Sequence, residues 1–138
     1  ATGTALGDQT EIDSIATYFH GNVPKLGTVK TNIGHMLTAS GIPSIIKVIE
    51  SFKNNLIPAS LRVTEPVSSM NNDYDGNQIT TKKEQWKSKD KRYAAINAFG
   101  FGGTNAHMIL EDNVKVDARA INQKIKSEVF FINIRSLD

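Results

Sequence analysis

The stretch Asn97-Ala98-Phe99-Gly100-Phe101-Gly102-Gly103-Thr104-Asn105-Ala106-His107 joins two apolar runs, Tyr93 to Phe99 and Ala106 to Glu111, that read as strands. Glycine tolerates positive φ and close backbone approach, so Gly100, Gly102 and Gly103 mark the point where the chain reverses. A phosphate cradle is the weaker reading, because no Lys-Ser/Thr pair follows Gly103 and no helix opens there. Two readings stand. The turn is purely structural, or its backbone N–H groups face a developing oxyanion.

Upstream, two segments have helical spacing. Ile12, Ile15, Ala16 and Phe19 define one apolar face, closed by Gly21 and Pro24. Asp8-Gln9-Thr10-Glu11 ahead of them reads as a capping box, with Asp8 as N-cap and Glu11 reaching back. The second helix spans about Thr38 to Lys53, with Ile42, Ile45, Ile46, Ile49 and Phe52 recurring, Pro43 in its first turn and Asn54-Asn55 ending it. Leu26 to Lys30 reads as a short buried strand, and Ile79 to Thr81 as another. Strands with helices laid across them make an α/β layered protein.

Bulk properties narrow the class. The 138 residues suit one small domain or a piece of a larger one. A net charge of +2 is too small to call for nucleic acid, and no apolar run is long enough to cross a bilayer. No signal-peptide pattern stands at the N-terminus, so a cytoplasmic location is expected. There is no cysteine, which excludes disulfides, thiolate metal sites and a thiol nucleophile within this chain. His20, His35 and His107 lack metal-binding spacing, so no metal is expected. Asp112 to Lys126 is polar and weakly patterned, and Val129 to Ile134 is a new apolar strand. The expected organisation is therefore residues 1–112 as one unit, 113–127 as a linker and 128–138 as the start of a following module.

Val29-Lys30-Thr31-Asn32-Ile33-Gly34-His35 places a lysine and a histidine around a strand end, where side chains of α/β folds reach active sites. Taken alone, a histidine is more often a satisfied structural residue than a functional one. A lysine ending an apolar strand is costly to bury unpaired, so Lys30 is expected to be exposed, ion-paired or functional. Thr2 and Thr4 read as turn residues, and His20 as a surface residue at a helix C-terminus.

In combination the motifs say more. Thr2-Gly3-Thr4-x-x-Gly7-Asp8-x-x-Glu11, Val29-Lys30-x-Asn32-x-Gly34-His35, Ile57-Pro58-x-x-Leu61 and Asn97 to Glu111 follow one another as they do in β-ketoacyl synthases. From Ala1 to about Glu111 the chain resembles this family, and in particular the ketosynthase domains of multidomain polyketide and polyunsaturated fatty-acid synthases. The resemblance implies the C-terminal half of a thiolase-like α-β-α-β-α layered fold, a mixed sheet with helices packed across it. It implies decarboxylative Claisen condensation of an acyl thioester with a malonyl-type extender. In the family the first catalytic histidine directly precedes the segment matching Ala1 to Thr4, and the nucleophilic cysteine belongs to the N-terminal half. This chain is therefore expected to be a truncated half, inactive alone.

Residue by residue, the resemblance implies that His35 aids decarboxylation and stabilises the enolate, with Lys30 supporting it electrostatically. Phe101 matches a gating phenylalanine whose N–H helps form the oxyanion hole, and Gly100, Gly102 and Gly103 give its loop freedom. Thr2 and Thr4 match positions that bind the phosphopantetheine arm of an acyl carrier protein, which brings substrate; no cofactor is expected on this chain itself. Asp8, Glu11 and Asn32 are supporting positions, and His107 receives no catalytic role. The implied partners are the N-terminal half, the carrier protein and a second copy in a homodimer. The basic run Lys82 to Arg92 reads as a solvated loop, with docking of an acidic carrier as the alternative. Thr38-Ala39-Ser40-Gly41 departs from the family, which often has an acidic residue there. Rival expectations are half of a non-catalytic subunit like a chain-length factor, or a standalone interaction module.

Overall fold

The computed structural model describes residues 2–20, 22–70 and 74–112. The expected linker and the module beginning at 128 lie outside the described residues. Helix α1 (Ala5–Phe19) is followed by a short helical turn α2 (Lys30–Ile33), helix α3 (Gly41–Asn54) and strands β1 (Leu56–Ile57), β2 (Glu84–Gln85), β3 (Arg92–Phe99) and β4 (Asn105–Asp112). The strands form two antiparallel pairs, β1 with β2 and β3 with β4, while Leu26 and Ile79 make an isolated parallel bridge.

Two apolar centres hold these elements. Ile12 and Ala16 of α1 pack with Val23 and Tyr74, and Ile15, Leu26, Val67 and Ile79 lie against them. The spacing of Ile12, Ile15 and Ala16 dictates this face. The second centre lies between α3 and β3, where Phe52 and Ile96 are buried. In β3 the inward positions are Arg92, Ala94, Ile96 and Ala98, alternating with the more exposed Tyr93, Ala95 and Phe99. Helix α3 is apolar on two sides. Ile45, Val48 and Phe52 lie inward, whereas Ile42, Ile46 and Ile49 remain exposed at 63%, 55% and 39%.

Three local expectations are corrected. Asp8 is not an N-cap: α1 begins at Ala5, Thr4 holds the N-cap position without a side-chain capping bond, and Asp8 lies within the first turn with its N–H donating to the Thr4 carbonyl at 2.9 Å. Ala5 and Leu6 favour helix, so the helix extends one turn beyond the expected start. The run Leu26 to Lys30 is not a strand. It pairs only at Leu26, and Ile79 to Thr81 likewise pairs only at Ile79. From Thr28 the chain turns into α2, because Ser60 Oγ takes the Thr28 N–H and Thr28 Oγ1 accepts the Lys30 N–H at 3.2 Å.

Arg92 is the third correction. It ends the basic run expected to be a solvated loop, yet it is buried at 8% exposure. Its Nε donates to Asp112 Oδ2 at 2.7 Å, Nη1 to Asn55 Oδ1 at 2.8 Å and Nη2 to the Phe52 carbonyl at 2.9 Å. Nη2 also pairs with the Asp112 carboxylate. The guanidinium lies 5.5 Å from the Phe52 ring centroid and 5.6 Å from that of Trp86. Registry makes the carboxylate available, since Arg92 faces Asp112 across β3 and β4.

Removing one partner of a buried ion pair costs about 3–5 kcal/mol. Arg92→Met is therefore expected to lower stability by about 3 kcal/mol, read as a shifted urea midpoint. An unchanged midpoint would show that the guanidinium does not hold the end of α3 to the hairpin.

Candidate functional site

Three segments carry the residues singled out from sequence. The first is the N-terminal knot. The Asp8 carboxylate accepts the Thr2 N–H at 2.7 Å and the Gly3 N–H at 3.2 Å, and the Thr2 and Thr4 hydroxyls lie 3.0 Å apart. Thr2, Thr4 and Asp8 thus form one exposed cluster at the start of α1, where the helix dipole favours a carboxylate. Glu11 lies in the next turn, half-buried.

The second segment is α2 and the loop after it. Lys30 opens α2 and is half-buried; among the described residues its ammonium has no ion-pair partner. Asn32 lies exposed within α2. His35 follows, exposed, and its Nδ1 lies 3.0 Å from the Leu37 nitrogen. A backbone N–H only donates, so Nδ1 must accept, and the neutral ring carries its proton on Nε2. His35 therefore presents a hydrogen-bond donor outward.

The third segment is the turn between β3 and β4. The Gly100 N–H donates to the Thr104 carbonyl at 2.9 Å and closes the loop. A Cβ at Gly100 would stand 2.8 Å from that same oxygen, so a side chain there forces the loop apart. Gly102 and Gly103 take φ of 74° and 83°, in the region glycine favours. Phe101, between them and Gly100, is fully exposed.

Helix α3, into which the second segment leads, packs over the strands that flank the third. Gly41 and Ile45 of α3 line a hollow of about 130 Å³ with Ile96, Ala98, Ala106, His107 and Met108. The N-terminal end of α3 thus lies over the half of the hairpin nearest its turn. His35 leads into that end of α3, and Phe101 follows directly from that half of β3. Neither residue lines this hollow, and both face outward.

Sequence reasoning missed two contributors. His107 Nδ1 lies 2.5 Å from Asn97 Oδ1, its register partner in β3, which secures the strands beside the glycine turn. Lys47 Nζ donates to the Thr28 carbonyl at 2.7 Å, just before α2. The strand pairing of the first was implicit in the hairpin; nothing in the spacing pointed to the second. Among the described residues no group of three or more His, Cys, Asp or Glu gathers as a metal site, and no helix is long and apolar enough to cross a membrane.

The architecture defines an α/β protein whose exposed rim carries an imidazole donor, a lysine and a glycine turn. Residues 1–64 match the family described as β-ketoacyl synthase, C-terminal domain, and residues 74–136 match the ketoacyl-synthetase C-terminal extension. The chain is 45% identical to the compactin diketide synthase mlcB of Penicillium citrinum over 111 residues, 80% of this chain and 4% of that protein. It is 36% identical to a naringenin synthase of Pestalotiopsis fici over 130 residues, 88% of this chain and 5% of that one. Among solved structures, a PfaC ketosynthase–chain length factor superposes with a TM-score of 0.75 at 40% identity, covering 82% of this chain and 12% of that one. The ketosynthase from module 1 of the bacillaene synthase of Bacillus amyloliquefaciens gives 0.68 at 31% identity, covering 80% of this chain and 22% of that one. The chain belongs to the β-ketoacyl synthase family, and its α/β fold is that of the C-terminal half of a thiolase-like ketosynthase. It spans about 4–5% of the length of the curated relatives named here.

The His35 geometry has a direct readout. Long-range ¹H–¹⁵N spectra of the neutral imidazole are expected to show an unprotonated Nδ1 and a protonated Nε2. The opposite tautomer would mean that the Leu37 contact does not hold the ring.

Proposed function

We propose that this chain is the extender-handling half of a ketosynthase domain that performs decarboxylative Claisen condensation within a polyketide-type multidomain synthase. The observation that carries the reading is His35: a ring whose Nδ1 is occupied by a backbone N–H, leaving Nε2–H as an outward donor. The segment that carries it leads into Gly41, which lines a hollow with Ala98 and Ala106, the strand positions flanking the exposed Phe101 turn.

In the proposed reaction a malonyl-type thioester arrives on the phosphopantetheine arm of an acyl carrier protein, which Thr2 and Thr4 bind. Its terminal carboxylate leaves as CO2, and the electrons of the broken C–C bond pass to the α-carbon as an enolate. Negative charge gathers on the thioester oxygen, where the Nε2–H of His35 meets it. Donors fixed before the charge develops stabilise it most, because nothing has to reorganise during the step. A neutral imidazole does this without a full buried charge. Lys30 adds positive potential nearby, and Asn32, Asp8 and Glu11 support the two loops.

The enolate carbon then attacks an acyl group held on a cysteine of the N-terminal half. The new oxyanion is met by the Phe101 N–H, in a turn that Gly100, Gly102 and Gly103 permit. The C–S bond breaks, the thiolate leaves, and the β-ketoacyl thioester remains on the carrier. This chain has no cysteine, so alone it accepts no acyl group. The exposed Ile42, Ile46 and Ile49 support burial against the other half, since apolar faces of this kind mark interfaces. A homodimer of the whole domain completes the proposed assembly.

In the intact synthase, His35→Ala is expected to slow CO2 release and condensation by about 10²–10³-fold, the usual loss for one oxyanion donor. Lys30→Ala is expected to slow both less. The isolated 138-residue chain should condense nothing. Wild-type rates in His35→Ala would end the reading, and an upstream half without a cysteine would make the protein a non-catalytic partner subunit.

A further inference from the structure

Thr28 is the residue on which the His35 segment hangs. Its N–H donates to Ser60 Oγ at 3.1 Å, and its Oγ1 accepts the Lys30 N–H at 3.2 Å. Its carbonyl accepts from Thr31 Oγ1 at 3.4 Å and from Lys47 Nζ at 2.7 Å. Thr31 Oγ1 in turn accepts the Leu61 N–H at 3.1 Å. All of these groups are neutral except Lys47, which reaches across from the middle of α3.

The placement of Lys47 is unusual for a lysine. It shares a helix face with Pro43 and the buried Ser51, away from the exposed Ile42, Ile46 and Ile49. Among the described residues it has no carboxylate partner, and burial pushes its amine below the ordinary lysine range. A half-buried ammonium without a counter-charge carries a desolvation cost that a leucine or methionine on the same face would not. Its short contact with the Thr28 carbonyl is charge-assisted, and such bonds are about twice as strong as neutral ones.

We propose that Lys47 is a positioning residue: tethering the Thr28 carbonyl to α3, it fixes the turn that delivers Lys30 and His35 to the reacting thioester. This rests on the condensation reading above. Lys47 touches no reacting atom. It acts through the backbone of Thr28, and its loss leaves α2 held only by neutral hydrogen bonds, those to Ser60 and Leu61 among them. The step that suffers is the one that uses His35, not the loading of acyl groups onto the cysteine of the other half.

The test compares Lys47→Met, Lys47→Arg and His35→Ala in the intact synthase. Three rates are read: condensation, the KM for a malonyl thioester, and acyl loading of the enzyme thiol. Lys47→Met is expected to lower the condensation kcat about 10- to 100-fold, as a displaced catalytic group does, with loading within about twofold of wild type. Lys47→Arg keeps a cationic donor and is expected to restore most of the rate. Should the methionine variant not accumulate folded, Lys47→Gln, with an uncharged donor, takes its place in the same comparison. Unchanged condensation in Lys47→Met, or equal loss of loading and condensation, overturns the proposal. If His35→Ala also condenses normally, the functional reading falls with it; if His35→Ala is inactive while Lys47→Met is not impaired, only the role of Lys47 falls.

Discussion

The buried guanidinium of Arg92 sets the frame for everything else in the structure. It satisfies the Asp112 carboxylate, the Asn55 side chain and the Phe52 carbonyl near the end of α3 in one place, and it lies near both the Phe52 and Trp86 rings. A planar fork of five donors can serve these acceptors together; an ammonium cannot match that geometry. Helix α3 is thereby locked to the base of the β3–β4 hairpin. With one end locked and Ile96 packed beneath, the other end of α3 must lie along the upper part of the hairpin. The relation between the His35 loop and the Phe101 turn follows from this.

Around that frame the site is held by polar contacts rather than by a core. Asp8 gathers the N-terminal knot, Thr28 gathers the α2 turn, and the bond between Gly100 and Thr104 gathers the hairpin tip. The first and third link residues near in sequence, whereas the Thr28 turn is also tied to the distant Ser60 and Lys47. Among the described residues nothing covers Phe101 or the outer face of α3, and apolar surfaces of this kind commonly mark interfaces. The family resemblance supplies a partner for them in the proposed complete domain.

The parts of the fold that could be read from sequence were those carried by local periodicity. The apolar repeats of α1 and α3 and the two strands around the glycine turn all formed, within a residue or two at their ends except the N-termini of α1 and α3, which lie four residues before and three residues after the expected starts. The failures were equally local in cause. Asp8 and Glu11 matched a capping pattern, but Ala5 and Leu6 continued the helix past it. Thr28 and Lys30 looked extended until the Thr28 hydroxyl and Ser60 captured the backbone groups that a strand would have used.

By itself the sequence determined the family, the two long helices and the hairpin with its glycine turn, because motif order, apolar spacing and the need for positive φ are properties of neighbouring residues. Tertiary structure alone decided that Arg92 is buried, that Asp8 serves Thr2 and Gly3, and that Lys47 reaches the Thr28 carbonyl. It also decided that the N-terminal end of α3 lies over the strand ends beside the glycine turn. These outcomes rest on charge-assisted contacts and packing whose favourable energy exists only once the folded chain has removed water from between the partners, and no spacing along the chain encodes that distance.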